Sequence, residues 1–412
     1  MEGDFKKIPG GVCSPQGFTA GAVSARVKKS SSRRSDLALI VSDCPTIAAG
    51  VFTTSKIKAA PVKVSSIHLR SADVRAVIAN SGNANACTGC VGIDDAKRMT
   101  RETAEELGLR ASQVLVCSTG IIGVPLPIDR ISARIPALVR SLKRQGSAAA
   151  AKAIMTSDTR PKSQALEIML GSTPVRIGAI AKGAGMICPN MATMLCFVTT
   201  DARIDKVELR KATLEAAEMS FNRISVDGDM STNDTVLVLA NGKAGNRPIR
   251  NGSPAARKFR QALGEVMLGL AKKIVRDGER VTKFVEIQVV GARTYLDARK
   301  VAEAVANSTL VKCSWNGCDP NWGRVIDAVG YSRAAVREEM IDIYFGGLCA
   351  CMHGVATGTP LEALERVVGK PEFTVSIHLN SGDADYVVYT SDLSPEYVEF
   401  NRAEYSLARL AK

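Results

Sequence analysis

Short apolar runs alternate with helical patterns along the chain, which is typical of an α/β or α+β protein. The runs Leu37–Val41, Ala76–Ala79 and Val114–Cys117 predict buried strands, because each is followed by residues that favour turns. A further run, Met194–Val198, predicts a strand directly after a loop rich in glycine. The expected fold class is therefore α/β (α+β).

Two helical patterns have clear ends. Residues 94–107 predict a helix that Gly108 ends. A second helix is expected to begin with Ser253 as its cap and Pro254 in its first turn, and Gly278 closes it. Apolar positions of this second helix recur on one face: Phe259, Ala262, Leu263, Val266, Met267, Leu270 and Ile274.

Near the carboxyl end, apolar and polar positions alternate from Phe373 to Leu379. The sequence Asn-Ser-Gly-Asp at 380–383 then favours a turn into Tyr386–Tyr389. This pattern predicts a half-exposed β-hairpin. We find no internal repeat and no change in composition that marks a domain boundary.

The chain has 412 residues and carries 54 Lys and Arg against 41 Asp and Glu, so its net charge is +13. The densest basic stretch, Arg26–Arg34, contains no aromatic residue and matches no nucleic-acid-binding module, so a solvated loop is expected there. No apolar run reaches the ~18 residues of a membrane helix, and the residues at the amino terminus predict no secretory signal. We expect a cytoplasmic protein without nucleic-acid or membrane partners, whose charge can steer anionic small substrates.

The eleven cysteines are scattered through the chain and predict reduced thiols, not a disulfide framework. Cys87 and Cys90 form a CxxC pair, but no second pair or nearby histidine completes a zinc site. The expectation is that these two cysteines are buried as small apolar side chains and bind no metal.

The segment Lys182–Val198 differs from ordinary packing patterns, since Gly183, Gly185 and Pro189 fall within seven residues. These residues predict a tight loop, because glycine adopts positive φ and proline restricts its own φ and its neighbour's. A phosphate-binding loop is not favoured, because no Gly-Lys-Ser/Thr sequence follows and the glycines lead into a strand. The predicted loop places Thr193 at the start of the strand.

A threonine hydroxyl is a poor nucleophile unless a base lies next to it. If the bond between Ala192 and Thr193 were cut, Thr193 would gain an α-amine with a pKa of about 8 that could deprotonate its own hydroxyl. The cut could be intramolecular, with a strained loop pressing the hydroxyl against the preceding carbonyl. The residues alone leave the alternative open that the segment is a glycine-rich turn and Thr193 an ordinary strand residue.

Ser118–Gly120 is a second candidate, since backbone amides at a glycine turn and the Thr119 hydroxyl can converge on an oxyanion. An ordinary turn at the end of a strand is the alternative. The polar runs Asp227–Asp234 and Asp319–Arg324 are expected to be hydrogen-bonded loops around a site. The first of them lacks the residue order and the closing glutamate of a calcium loop.

The segment Lys182–Ala202 resembles the self-cleavage segment of the ornithine acetyltransferase (glutamate N-acetyltransferase) family of arginine biosynthesis. Other segments resemble family signatures in the family's order and span nearly the whole chain. They are Gly50–Thr54 with Lys58–Val62, Asn80–Gly89, Ser118–Gly120, Met155–Lys162, Phe221–Asp229, Asp277–Glu279 and Asp319–Arg324, with a last match at Asn401–Ser406.

The resemblance implies a DmpA/ArgJ-like fold, in which helices pack on central β-sheets, and a precursor that cuts itself between Ala192 and Thr193. The products would be an α chain (1–192) and a β chain (193–412) in an α2β2 heterotetramer. Thr193 would be the nucleophile, and Thr119 and Gly120 would stabilise the oxyanion. By the same resemblance, the positions that contact substrate are Thr156, Lys182, Thr193, Glu279, Asn401 and Ser406.

The implied reaction moves the acetyl group of N-acetyl-L-ornithine to L-glutamate through an acetyl-enzyme, in two ping-pong half-reactions. A lysine suits a substrate carboxylate and a glutamate suits the ammonium end of ornithine. No cofactor or metal is expected, and acetyl-CoA remains open as a co-substrate. Cys188, Met230 and Cys318 depart from the usual family pattern and bear on efficiency and specificity.

Two other functions are kept as alternatives. One is a self-processing amidohydrolase or aminopeptidase with an amino-terminal nucleophile, in which water takes the acyl group. The other is a non-catalytic binding protein, which would remain a single uncut chain.

Overall fold

The computed structural model describes residues 5–27, 34–71, 73–188 and 194–404. The chain divides into two compact units. The first contains residues 1–183, 190–222 and 230–274, and the second contains residues 184–189, 223–229 and 275–412. This division follows from packing, whereas the predicted α and β chains (1–192 and 193–412) concern a covalent cut and remain a prediction.

The first unit is built on a nine-stranded sheet with the order β1-β6-β7-β8-β9-β3-β4-β5, in which β2 also pairs with β3. The strands are β1 Lys6–Lys7, β2 Phe18–Val23, β3 Leu37–Phe52, β4 Val74–Asn83, β5 Val114–Ile121, β6 Lys162–Leu170, β7 Thr173–Lys182, β8 Leu195–Thr200 and β9 Thr235–Ala240. The helices are α1 Ala60–His68, α2 Gly89–Leu107, α3 Ile128–Ser132, α4 Ile135–Arg140, α5 Ser147–Ala153, α6 Lys206–Glu218 and α7 Pro254–Arg276, the last of which continues two residues into the second unit.

Strand β3 changes its partners halfway along. Residues 37–42 pair with β2, residues 37–41 also pair with β4, and residues 47–52 pair with β9. Pro45 lies between the two halves and has no N–H to donate to a ladder, so the pairing breaks there. The predicted strand Leu37–Val41 is confirmed as the first half of this longer strand.

The other predicted strands are also confirmed. Residues 76–79 lie inside β4 and residues 114–117 inside β5, while β8 begins one residue after Met194. β8 pairs antiparallel with β7, so that Leu195 stands beside Lys182, and parallel with β9. The start of β8 is therefore fixed on both sides.

Both predicted helices form. α2 begins at Gly89, earlier than expected, and ends where Gly108 adopts the left-handed conformation with φ of 65°. The Ser253 hydroxyl accepts a hydrogen bond from the Ala256 N–H (3.1 Å) and so caps α7. All seven residues of its predicted apolar face are fully buried.

The second unit contains a six-stranded sheet with the order β13-β12-β11-β14-β10-β15. Its strands are β10 Phe284–Ala292, β11 Asp342–Phe345, β12 Leu348–Met352, β13 Val355–Ala356, β14 Glu372–His378 and β15 Ala384–Ser391. Its helices are α8 Tyr295–Asn307, α9 Thr309–Asn316, α10 Trp322–Gly330, α11 Leu361–Val368 and α12 Pro395–Glu404. Short 3₁₀ helices occur at Ala111–Gln113 in the first unit, at Glu338–Met340 in the second, and at Phe221–Arg223, where the chain passes from the first unit to the second.

The predicted β-hairpin near the carboxyl end is wrong. Both strands exist, as β14 and β15, but β10 lies between them, parallel to β14 and antiparallel to β15. The connecting residues wrap around the end of β10, where the Leu379 N–H donates to the Val290 carbonyl (2.9 Å) and the Ser381 N–H donates to the Gly291 carbonyl (2.8 Å). A local turn signal cannot show that a strand from elsewhere in the chain fills the gap between two strands.

The predicted mixed α/β class, with helices packed on central sheets, is confirmed. Within the described residues, no helix combines the length and the apolar composition that crossing a lipid bilayer requires. The Arg26–Arg34 stretch lies mostly outside the described residues.

Candidate active site

The oxyanion candidate lies where β4 and β5 run parallel to each other. Ser118–Gly120 is part of β5, which continues to Ile121, so the segment is strand and not the turn expected after it. Gly120 has a φ of 135° and pairs with Gly82. A Cβ at Gly120 would lie 2.3 Å from the Gly82 carbonyl carbon and 2.5 Å from the Asn83 nitrogen. Only glycine fits this position, because both the conformation and the neighbouring backbone exclude a side chain.

Three of the predicted site residues meet at the end of β7. The Lys182 Nζ donates hydrogen bonds to the Thr156 Oγ1 (2.7 Å) and the Thr119 Oγ1 (3.3 Å). Lys182 and Thr119 are each 2 % exposed. A cation this deeply buried is costly unless anions or hydrogen-bond acceptors surround it, which makes this cluster a candidate site for an anionic ligand group.

Asp158 holds this cluster in place, although the sequence did not single it out. Its Oδ2 accepts the Thr156 N–H (3.0 Å), and its Oδ1 accepts the Gly183 N–H (2.8 Å) and the Lys162 Nζ (2.6 Å). Burial by itself would raise the pKa of Asp158, but the charges of Lys182 and Lys162 and the Gly183 amide outweigh burial and hold the pKa at about 2. Asp158 is therefore an anion that fixes the backbone on both sides of the lysine cluster.

A second buried carboxyl, Asp234, lies beside the start of β8. Its Oδ1 accepts the Met194 N–H at 3.0 Å. Its neighbour Asn233 donates from Nδ2 to the carbonyls of Ala84 (2.7 Å) and Ser118 (2.8 Å). The last two residues of the run Asp227–Asp234 thus bond to β5 and to Met194, the residue after Thr193: Asn233 donates to the Ser118 carbonyl and Asp234 accepts the Met194 N–H.

Within the second unit, the structure brings Glu279 and Asn401 together. The Asn401 Nδ2 donates to the Glu279 Oε2 at 3.1 Å, and the Glu279 N–H donates to the Ala184 carbonyl at 3.0 Å. A Cβ at Gly185 would lie 2.4 Å from the Glu279 carboxyl carbon. Gly185 therefore serves close approach to a carboxylate, whereas Gly183 is the glycine of this loop with positive φ (155°).

Comparison with known proteins assigns the chain to a family. The family model described as "ArgJ family" matches residues 19–406. The chain belongs to the ArgJ family. It is 48 % identical over 394 residues to "Arginine biosynthesis bifunctional protein ArgJ" of Symbiobacterium thermophilum, covering 96 % of this chain and 98 % of that one. It is 51 % identical over 391 residues to the ArgJ protein of Geobacter sulfurreducens, covering 95 % and 99 %.

Two solved structures are also similar to this chain. The ArgJ structure from Bacillus halodurans has 39 % identity and a TM-score of 0.49, and the match covers 50 % of this chain and 97 % of that chain. The structure of ornithine acetyltransferase complexed with ornithine from Mycobacterium tuberculosis has 39 % identity and a TM-score of 0.42, and the match covers 45 % of this chain and 98 % of that chain.

Three residues expected from the ArgJ resemblance cannot be placed. Ala192, Thr193 and Ser406 lie outside the described residues. The cleavage bond, the nucleophile and one substrate contact therefore stay predictions. The first described residue after Thr193 along the chain is Met194, whose N–H donates to the Asp234 Oδ1.

The three residues expected to depart from the family pattern lie in different surroundings. Met230 is 38 % exposed, and its sulfur accepts a hydrogen bond from the Thr54 hydroxyl (3.6 Å). Cys188 is half-buried. Cys318 is exposed, and the Lys283 Nζ donates to its sulfur (3.4 Å).

The expectation that Cys87 and Cys90 are buried is wrong. Both are free and exposed, because they lie at the amino-terminal end of α2, and Cys87 adopts a positive φ of 58°. In the part of the chain that the structure describes, no group of three or more His, Cys, Asp or Glu side chains could hold a metal ion.

The geometry at Gly120 predicts that Gly120→Ala disrupts β5, the strand that contains the oxyanion candidate Ser118–Gly120. Strain at positive φ and the clash of the new Cβ with Gly82 and Asn83 should lower the free energy of unfolding by at least about 2 kcal/mol. The same clash should displace β5 from β4. Thermal unfolding and acetyl-transfer assays measure the two effects. Gly264→Ala is the matched control, since a Cβ there meets no atom within 4 Å and should slightly stabilise α7. A Gly120→Ala variant with normal stability and activity would contradict this account.

Asp158 makes stability depend on pH. Its lowered pKa adds about 2 kcal/mol of stability that is fully present above its unfolded pKa of 3.8 and is lost as pH falls through about 2. Asp158→Asn should therefore be less stable than the wild type at pH 7, by roughly 3 kcal/mol because Lys162 loses its partner.

The difference between the two proteins in urea-unfolding midpoint should narrow as pH falls from about 5 towards 2. Asp94→Asn, which changes an exposed carboxylate on α2, is the control and should shift the midpoint little at any pH. A difference between wild type and Asp158→Asn that stays constant with pH would show that the Asp158 charge is not what stabilises the cluster.

Proposed function

We propose that this protein transfers the acetyl group of N-acetyl-L-ornithine to L-glutamate, producing ornithine and N-acetyl-L-glutamate in arginine biosynthesis. Membership of the ArgJ family over residues 19–406 supports this acyltransferase role. The observation that carries the proposal is the buried cluster in which Lys182 bonds the hydroxyls of Thr119 and Thr156. These are three residues that the proposed reaction requires in one place.

The proposed enzyme matures by cutting its own chain. The Thr193 hydroxyl attacks the Ala192 carbonyl, the peptide C–N bond breaks to give an ester, and water hydrolyses the ester. The products are the α chain (1–192) and the β chain (193–412), which starts with Thr193. The new α-amine has a pKa of about 8 and can accept the proton of the Thr193 hydroxyl.

The acetyl transfer proceeds in two half-reactions. The Thr193 Oγ attacks the acetyl carbonyl of N-acetylornithine while its proton passes to the α-amine, and Thr119 and Gly120 stabilise the resulting oxyanion. Collapse of this intermediate breaks the amide C–N bond, and the leaving amine takes the proton. The glutamate amine then attacks the acetyl ester and returns Thr193 to its starting state.

The charged residues fit the two ends of the substrates. Lys182 can pair with the carboxylate that N-acetylornithine and glutamate both carry. Glu279, held by Asn401, can pair with the ammonium group that ornithine carries and glutamate lacks. Thr156 and Ser406 complete the proposed contacts.

Three finer features belong to the same proposal. The protein acts in the cytoplasm as an α2β2 heterotetramer of its cleaved chains. The reaction uses no protein-bound metal or cofactor. The curated relatives are called bifunctional, and we include acetyl-CoA as a second acetyl donor to be tested.

Hydrolysis is the competing function, because an acyl-enzyme can also react with water. Family membership favours transfer to an amine, and labelled substrate separates the two reactions. With N-acetylornithine labelled in its acetyl group, transfer gives labelled N-acetylglutamate and hydrolysis gives labelled acetate.

Thr193→Ala should remain one full-length chain and transfer no label, because both the cut and the acetyl ester need its hydroxyl. A denaturing gel and the label assay measure these outcomes. Thr173→Ala, which removes a threonine at the start of β7, is the control and should cleave and transfer like the wild type. Turnover by Thr193→Ala, or labelled acetate as the main wild-type product, would contradict the proposal.

A further inference from the structure

Two segments of the second unit contact the carboxylate of Glu279, which is half-buried. Gly185 packs so closely that a Cβ on it would lie 2.4 Å from the carboxyl carbon. The Asn401 Nδ2 donates to the Oε2 atom at 3.1 Å. Among the described residues, no lysine or arginine lies within ion-pair distance of this carboxylate. A half-buried carboxylate without a cationic partner can bind the ammonium group of a ligand.

The carboxyl group of Asp227 anchors the segment that contains Gly185. Its Oδ2 accepts the Met186 N–H at 2.6 Å, and its Oδ1 accepts the Ile187 N–H at 2.8 Å. Met186 has a φ of 58°, a left-handed conformation that a residue other than glycine keeps only where its surroundings hold it. Because Met186 directly follows Gly185, these two hydrogen bonds fix the backbone that contacts the Glu279 carboxylate.

The same carboxyl group also anchors helix α12. The Tyr397 hydroxyl donates to the Asp227 Oδ2 at 3.2 Å. Asn401 lies four residues further along α12, on the same face as Tyr397. Its Nδ2 donates both to the Tyr397 carbonyl (3.0 Å) and to the Glu279 carboxylate. The hydrogen bond between Tyr397 and Asp227 therefore fixes the position from which Asn401 reaches Glu279.

Tyr397 is a neutral hydrogen-bond donor in this arrangement. Burial raises the pKa of its hydroxyl, and the negative charges of Asp227 and Glu279 raise the pKa further. The phenol therefore keeps its proton at neutral pH and donates it to the Asp227 Oδ2. Tyr397 thus links the two carboxyl groups, since it bonds to one and lies within the electrostatic influence of the other.

We propose that Asp227 positions the Glu279 carboxylate to bind a side-chain ammonium group such as that of ornithine. It acts through the amides of Met186 and Ile187 on one segment and through the Tyr397 hydroxyl on the other. This inference rests on the proposed function and adds to it the residues that set the affinity for the ammonium end of the substrate. Asp227 is a positioning residue, because it acts through Glu279 and is assigned no contact with substrate.

Two ligands separate this role from a general effect on the fold. Ornithine carries the side-chain ammonium group, whereas norvaline has the same carbon chain without that group. Titration calorimetry of the purified enzyme measures the affinity for each ligand. Tyr397→Phe removes only the hydroxyl, and we expect it to weaken ornithine binding at least about fivefold while norvaline binding stays within about twofold of the wild type.

Two further variants complete the comparison. Asp227→Asn should weaken ornithine binding at least as much as Tyr397→Phe, because an asparagine side chain has one accepting oxygen where the carboxylate has two. Tyr331→Phe is the matched control and should leave both affinities unchanged. Tyr331 is 55 % exposed in the same unit, and its hydroxyl makes no hydrogen bond within the described residues.

A combined variant tests whether the effect passes through Glu279. In enzyme that already carries Glu279→Gln, adding Tyr397→Phe should weaken ornithine binding no further, because the carboxylate that it positions is gone. Losses of affinity that add up in the combined variant would overturn the proposal.

Three other results would also overturn it. They are an ornithine affinity of Tyr397→Phe equal to that of the wild type, an equal loss of affinity for ornithine and norvaline, and wild-type enzyme that binds the two ligands equally well. Wild-type enzyme that binds ornithine as expected but forms no labelled N-acetylglutamate would instead refute the proposed function, so the two failures are distinguishable.

Discussion

The candidate site depends on charges held in an interior that excludes water. Lys162, Lys182 and Asp158 are each at most 5 % exposed, and the carboxylate of Asp158 bonds Lys162 and two backbone amides. A buried lysine keeps its charge only where anions and polar groups replace the lost water. Asp158 therefore does more than stabilise the fold, because its charge interacts with Lys182, whose Nζ donates to the hydroxyls of Thr119 and Thr156.

The sheet explains why residues from distant parts of the sequence meet. β7 ends at Lys182, β8 starts at Leu195 opposite it, and β9 starts beside β8. Asn233, just before β9, reaches the carbonyl of Ser118 at the end of β5. The end of β7 and the start of β8 therefore lie side by side, and the family resemblance places the nucleophile in the sequence that connects them.

Much of the framework could be predicted from the sequence. Apolar runs such as Leu37–Val41 and the capped apolar face of α7 depend on local periodicity, and the structure contains both. The β14–β15 hairpin failed because β10, from a distant part of the sequence, pairs between the two strands. The predicted burial of Cys87 and Cys90 was also wrong. The count and spacing of cysteines do not show where a residue lies in the fold, and these two lie exposed at the amino-terminal end of α2.

The candidate active site could likewise be predicted only in part from the sequence. Motifs and family resemblance pointed to Lys182, Thr119, Thr156, Glu279 and Asn401, and the structure pairs them within each unit. Asp158 and Asp234 were not predicted as site residues, although Asp158 lies in the family-like segment Met155–Lys162 and Asp234 ends the polar run Asp227–Asp234. Both carboxyl groups are buried and accept hydrogen bonds from backbone amides. Neither property can be predicted from residue type or spacing.

The most direct test of the account is intact mass spectrometry of the purified protein mixed with N-acetylornithine. The account predicts two chains, with the acetyl group attached to the chain that begins with Thr193, and no acetyl adduct after glutamate is added. A single full-length chain that still moves acetyl groups to glutamate would contradict it.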